Sequence, residues 1–156
     1  MAKTIQQNVT FKANSAKLFA LYTDSKLHSA ATGQKATVGA AGENFSAFGG
    51  MITGKILQTV KNKSIVQTWR AKSWKKADPD SILILTFEDT KSGGRVSMVH
   101  ANVADHDAKG VTAGWKSYYW DPWRKYLRAT QKPTKGTAAK KKPAPKNRTA
   151  KRKSSR

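Results

Sequence analysis

The chain has 156 residues, no cysteine, and 30 lysines and arginines against nine aspartates and glutamates, a formal charge of +21. Zero cysteines exclude disulfides and thiolate chemistry, and no apolar run approaches the roughly 20 residues that a membrane helix needs. The length, with no obvious internal repeat, predicts one domain plus an appendage; the polar start Met-Ala-Lys-Thr-Ile-Gln-Gln has no signal-peptide core, so a cytoplasmic protein is expected.

In chain order the pattern is first β. Ile5, Gln7, Val9 and Phe11 alternate with polar neighbours, as a half-buried strand requires. Between Ala13 and Thr32 the period changes. Leu18, Leu21 and Tyr22 share a helical face, Asn14 or Ser15 can cap it, and Asp24 or Ser25 can start a second short helix. Gly33, Gly39, Gly42, Gly49 and Gly50 then punctuate short strands. Residues 51–60, 64–72, 81–88 and 95–103 read as longer strands, with Ser92-Gly93-Gly94 as a hairpin turn between the last two. On the second of these strands Arg70 alternates away from Trp69 and is expected in solvent.

A helix is predicted next, with Asp105 or Asp107 as its cap, and it carries the densest chemistry of the chain. Between Trp115 and Tyr126 stand six of the 14 aromatic residues within twelve positions. At about 100° per residue Val111, Trp115, Tyr118, Tyr119, Pro122 and Tyr126 fall in one narrow arc, and Trp120, Trp123 and Leu127 widen it to roughly 200°. Such an arc exceeds the stripe of an ordinary surface helix, so this helix should be held on more than one side. Pro122 lacks a backbone N–H, which predicts a kink or a restart with Asp121 as cap. Strand, two small helices, a run of antiparallel strands and one long helix together predict an α+β fold, a curved antiparallel sheet wrapped round its C-terminal helix.

Residues 131–156 hold three prolines, 11 basic residues, no acidic residue and no Val, Ile, Leu, Met or aromatic side chain. A segment with nothing to bury is expected to be a disordered polybasic tail on a folded domain of residues 1–130. The 130 residues before it still carry +10. Lys140, Lys141, Lys142, Lys146, Arg148, Lys151, Arg152, Lys153 and Arg156 are the candidate contacts to nucleic acid or another polyanion: such charges neutralise phosphates and release counterions without reading sequence. The alternative is a tail that only promotes solubility. A nucleoid association, or a nuclear one in a eukaryotic host, would follow from the first reading.

Enzymatic signals are sparse. Gly49 to Lys55 follows a phosphate loop as far as its lysine, but Ile56 stands where a Ser or Thr must bind magnesium and a strand pattern follows, which argues against nucleotide binding. Asp105-His106-Asp107 offers metal-capable atoms without a fourth ligand, and reads better as a polar turn. There is no Gly-x-Ser-x-Gly elbow and no clear carboxylate pair, so neither a catalytic set nor a cofactor is expected. The aromatic residues are either core alone or core plus a ligand pocket, whose wall would comprise Trp69, Met98, His100, Trp115, Tyr118 and Tyr119. Of these, His100 lies among Val96, Met98, Val99 and Val103 and is more naturally a satisfied structural histidine.

One set of residues bears a resemblance. Val9-Thr10-Phe11, Thr32-Gly33, Gly42 with Phe45, Phe48-Gly49-Gly50 with Gly54, Ile65 to Arg70 with Trp74, and Gly114-Trp115 with Tyr118-Tyr119-Trp120, Pro122 and Tyr126-Leu127 are similar to the single-domain relatives of the activator of heat-shock protein 90 ATPase, within the START-like superfamily. The resemblance implies a helix-grip fold with a cavity between sheet and long helix. It also implies a hydrophobic small molecule or a heat-shock protein 90-type chaperone as partner. A polyketide cyclase-like enzyme acting on an aromatic or lipid-like substrate is the alternative it leaves open. The separate N-terminal domain of the eukaryotic activator has no counterpart here, and the basic tail is not part of the family pattern.

Overall fold

The computed structural model describes residues 2–131; the candidate nucleic-acid contacts from Lys140 to Arg156 lie outside the described residues. Residues 2–124 belong to one compact unit that contains the whole sheet, and the described part of the second unit, from Lys125, is the end of a helix.

Strand β1 (Ala2–Phe11) leads into helices α1 (Ser15–Thr23) and α2 (Ser25–Thr32). Short strands β2 (Thr37–Val38) and β3 (Asn44–Ala47) follow, then a 3₁₀ turn at Phe48–Gly50. Strands β4 (Ile52–Val60), β5 (Ser64–Ala71), β6 (Ser81–Thr90) and β7 (Gly93–Ala104) complete the sheet. After a 3₁₀ turn at Asp105–Asp107 come α3 (Ala108–Gly114), a π turn (Trp115–Trp120) and α4 (Asp121–Thr130). All seven strands form one antiparallel sheet in the order β1-β7-β6-β5-β4-β3-β2. This is the helix-grip architecture that the order of elements predicts.

Alternation decides which face of the sheet is the core. Ile65, Gln67, Trp69 and Ala71 on β5, Ser81, Leu83, Leu85 and Phe87 on β6, and Val96, Met98 and His100 on β7 are all buried, and their neighbours point outward. Register shifts opposite Lys3–Ile5 and at Ile56–Gln58 put one extra residue into β7 and one into β4, bulges that bend the sheet about its contents. The β6–β7 turn is tighter than expected. Thr90 pairs with Gly93, so Lys91-Ser92 makes the reversal and both glycines belong to β7. Gly94 is needed for space, since a Cβ there would collide with the Ala13 carbonyl where the chain leaves β1 for α1.

The caps come from the first of each pair of candidates. Asn14 accepts from Lys17 N at 2.9 Å and Asp24 from Leu27 N at 3.0 Å, while Gly33 takes the left-handed conformation (φ 79°) that ends α2. At the long helix the expectation does not hold. Asp107 occupies the cap position without bonding an amide of the first turn, because its carboxylate accepts from the Trp74 indole at 2.8 Å instead; Asp105 pairs with Lys3 at 3.7 Å. Arg70 is not free in solvent either. Its guanidinium donates to the carbonyls of Asp78 (2.6 Å) and Lys75 and to the Asp80 carboxylate (3.2 Å), clamping the β5–β6 loop.

The π turn corrects the helical arc. Asp121 N donates to Lys116 O, five residues back, and the extra residue rotates everything after it by about 100° relative to an unbroken α-helix. Trp120 and Trp123 thereby join Val111, Trp115 and Tyr119 in the core, and Tyr118, expected in the middle of the arc, is 61 % exposed. Asp121 keeps helical dihedrals (φ −67°, ψ −47°), so it is not a cap and the helix does not restart. Pro122 removes one donor from the ladder, and the wider turn just before it carries the backbone past that gap.

Candidate functional site

Three elements meet at one end of the gripped helix and leave a cleft of about 500 Å³ between them. The first is the turn after β3. Phe48, Gly49 and Gly50 have φ values of 54°, 66° and 96°, and a phenylalanine held in the left-handed region is strained. That conformation presents the Phe48 ring to the helix, with ring centres 5.8 Å from Tyr118 and 5.3 Å from Tyr119. The second element is the end of β5, which supplies Trp69, Ala71 and, just beyond, Lys72 and Ser73. The third is the helix, whose contribution is Gly110, Val111, Gly114, Trp115, Tyr118 and Tyr119. Met51, which is 53 % exposed, and Tyr118 stand at the lips.

Behind the rings two fully buried histidines tie helix to sheet. Trp115 Nε1 donates to His100 Nδ1 at 3.1 Å. An indole only donates, so the proton of His100 is on Nε2, which bonds Ser81 Oγ at 2.8 Å; that hydroxyl in turn donates to Trp69 O at 2.7 Å. His28 has the opposite tautomer: Nδ1 donates to Tyr22 O at 2.8 Å and Nε2 accepts from the Tyr119 hydroxyl at 2.9 Å. The Tyr22 hydroxyl donates to Gln67 Oε1 at 2.6 Å. Burial lowers His100 to about 3, and it lowers His28 to about 4 against the opposing bond to the Tyr22 carbonyl. Burial also raises both tyrosines, Tyr22 further by the proximity of Tyr119. All four groups are therefore neutral at neutral pH and act as struts.

Of the candidate pocket residues, Trp69, Trp115, Tyr118 and Tyr119 come together in the cleft wall. Met98 and His100 are buried on β7 and are not part of that wall. His100 stands behind Trp69 and Trp115, its ring centre 4.7 Å and 5.9 Å from theirs, and Met98 is two residues further along the strand. Sequence reasoning passed over Phe48, Met51, Lys72, Gly110 and His28 as site residues. Two glycines four apart inside a helix were the available signal for a space against it; His28 gave none, because its partner Tyr119 is 91 residues away.

The two motifs weighed for other chemistry are structural. His106 Nε2 lies 2.7 Å from the Asp78 carboxylate and holds it below the usual carboxylate range, and among the described residues no cluster of three His, Cys, Asp or Glu side chains is arranged to hold a metal. Gly49-Gly50 feeds strand β4, not a helix N-terminus, so it lacks the amide cradle of a phosphate loop. No helix among the described residues is long and apolar enough to cross a membrane.

The family model described as "Activator of Hsp90 ATPase homolog 1-like protein" matches residues 12–128. The human "Activator of 90 kDa heat shock protein ATPase homolog 1" is 29% identical over 113 residues, which cover 72% of this chain and 33% of that protein. An uncharacterised Schizosaccharomyces pombe protein is 30% identical over 119 residues, covering 76% of this chain and 35% of its own length. The chain thus spans about a third of the length of these relatives. Among solved structures, an HSP90 activator from Plasmodium falciparum superposes with a TM-score of 0.67 at 20% identity, covering 84% of this chain and 96% of that one. The Aha1 dimer from Colwellia psychrerythraea gives 0.64 at 16% identity, with 76% and 92% covered. These structures share the fold. With its sheet, its gripped aromatic helix and a family match over most of its described length, the chain belongs to the Activator of Hsp90 ATPase homolog 1-like family.

Proposed function

We propose that the chain is a non-enzymatic START-like binding domain whose cleft takes a hydrophobic small molecule. The observation that carries this is the open, aromatic-walled cleft of about 500 Å³, inside the roughly 300–1,000 Å³ range of small-molecule sites. The indole N–H of Trp69, a ring of that wall, has no acceptor among the described residues, as is also true of Trp123 deeper in the core. Both N–H groups are closed off from the cleft as they are from solvent, so each is a cost of about 1–3 kcal/mol that the fold carries and neither contacts a ligand. The polyketide cyclase alternative needs a proton-transferring group facing the substrate. Both buried histidines instead have each ring nitrogen engaged behind the rings, and the one carboxylate that lines the cleft, Asp107, is held by the Trp74 indole at 2.8 Å. A panel of fatty acids, sterols and aromatic polyketides should raise the melting temperature with the concentration dependence of mass action, and native mass spectrometry should find a co-purified molecule. No shift with any of them would remove the small-molecule reading.

A chaperone-type partner is the second reading, favoured by the family match and by the names of the curated relatives. Its test is the ATPase rate of a heat-shock protein 90 with and without this chain. The basic segment adds a third contact. Eleven positive and no negative charges after Thr130 favour weak binding to duplex DNA without sequence preference, with log affinity falling steeply against log salt. Cutting the chain after Thr130 should flatten that slope; an unchanged slope would assign the binding to the +10 of the preceding residues.

A further inference from the structure

We propose that the cleft selects a monoanionic aromatic ligand, whose flat body lies against a bare stretch of helix at Gly114 and whose acidic group meets Lys72 at the mouth. This rests on the reading of the cleft as a small-molecule site. Glycine inside a helix is less favourable than alanine by about 1 kcal/mol, and Gly110 and Gly114 stand one turn apart on the face that lines the cleft. Gly110 has a packing reason, because a Cβ there would lie 2.8 Å from Asp107 Oδ1. Gly114 has none. A Cβ would meet only Tyr118 ring carbons at 3.4 and 3.8 Å, ordinary contact distances, in a helix whose next residue has φ −57° and ψ −43°. The missing side chain at Gly114 therefore serves the cleft and not the fold. The rings around it, Phe48, Trp69, Trp115 and Tyr118, offer faces and edges suited to another planar ring.

Charge gives the second half of the selectivity. Only two ionisable acids or bases with a formal charge at neutral pH line the cleft, Lys72 and Asp107. The Asp107 carboxylate accepts from the Trp74 indole at 2.8 Å, a neutral donor that fixes its direction without balancing its charge. Lys72 is exposed and has no carboxylate within 4.0 Å among the described residues. Within three positions of lining residues stand seven other lysines and arginines against two aspartates, Asp105 and Asp121, a balance that favours positive potential about the cleft.

The test uses the full chain and two fluorescent probes of one ring system, anionic anilinonaphthalenesulfonate and neutral phenylnaphthylamine. The wild type should bind the anion more tightly at low salt. Lys72→Gln should weaken the anion by roughly three- to tenfold and leave the neutral probe within about twofold. Gly114→Ala and Gly114→Leu should weaken both probes, and the alanine variant should do so with a melting temperature at or above that of the wild type. Equal binding of the two probes with no effect of Lys72→Gln overturns the charge selection and leaves the small-molecule reading standing. Undiminished binding by both Gly114 variants overturns the bare-wall assignment. If the wild type binds neither probe, both this inference and the reading it rests on fail.

Discussion

The two ends of the gripped helix use the same kind of side chain for opposite purposes. At the end nearer Arg124, Trp120, Trp123 and Phe11 meet with ring centres 5.5–6.1 Å apart, Arg124 lies over Phe11 at 4.8 Å, and Trp123 has no exposed surface. Two polar ends are tied off there, Trp120 Nε1 donating to Gln7 Oε1 at 2.7 Å and Arg124 to Thr10 O at 2.8 Å, while Trp123 Nε1 has no acceptor among the described residues. At the other end Trp115 and Tyr119 stack at 4.6 Å, but Tyr118, Phe48 and Met51 leave a gap in front of them. Aromatic density is therefore a poor guide to a cavity. The difference lies in what accompanies the rings, since Gly110, Gly114 and the Gly49-Gly50 turn occur only at the open end.

Truncation should separate the ends most strongly. Trp123→Ala should cost about 3–5 kcal/mol, lowering the melting temperature by about 10 °C or more, whereas Tyr118→Ala, at a residue 61 % exposed, should cost under about 1 kcal/mol. Urea unfolding of both variants measures this. Equal losses would mean that the two ends are packed alike.

The buried histidines should make stability depend on pH in a defined window. Their folded values, about 4 for His28 and about 3 for His100, lie below the ordinary 6.5, so on acidification the unfolded chain takes up protons first. Their contribution is fully present above about pH 6.5, falls as pH drops towards 3, and levels off below; each histidine adds at most about 1.4 kcal/mol per pH unit. In urea titrations near pH 5, His28→Phe and His100→Phe should each remove about one proton from the slope. His100→Phe should also cost about 1–3 kcal/mol at pH 7, because Trp115 Nε1 is left without an acceptor.

The smallest effects distinguish the two helix glycines. Gly114→Ala should stabilise the fold by up to about 1 kcal/mol through helix propensity. Gly110→Ala should gain less or lose, since the new methyl displaces the Asp107 carboxylate from its place beside the helix. Thermal unfolding reads both, and a larger gain at Gly110 would contradict the packing described for Asp107.

Local pattern was enough for much of this molecule. Alternation over 5–11 and along β5 to β7, the capping residues Asn14 and Asp24, and the wide aromatic arc of the last helix depend on residues a few positions apart, so the strands, the two small helices and the helix-grip arrangement were legible. Trp69, Trp115, Tyr118 and Tyr119 were singled out by the same pattern, but the pattern left open whether they fill the core or wall a pocket. Other features depend on partners distant in the chain. One added residue in the π turn moves Tyr118 out and Trp120 and Trp123 in, which a uniform helical period cannot register. Asp107 gives up its capping role for Trp74, Arg70 is held by the loop it faces, and His28 acquires meaning only beside Tyr119. The cleft belongs to the same class, because a space between three elements is a property of how far apart they pack and which of their side chains are missing, and no stretch of sequence carries that distance.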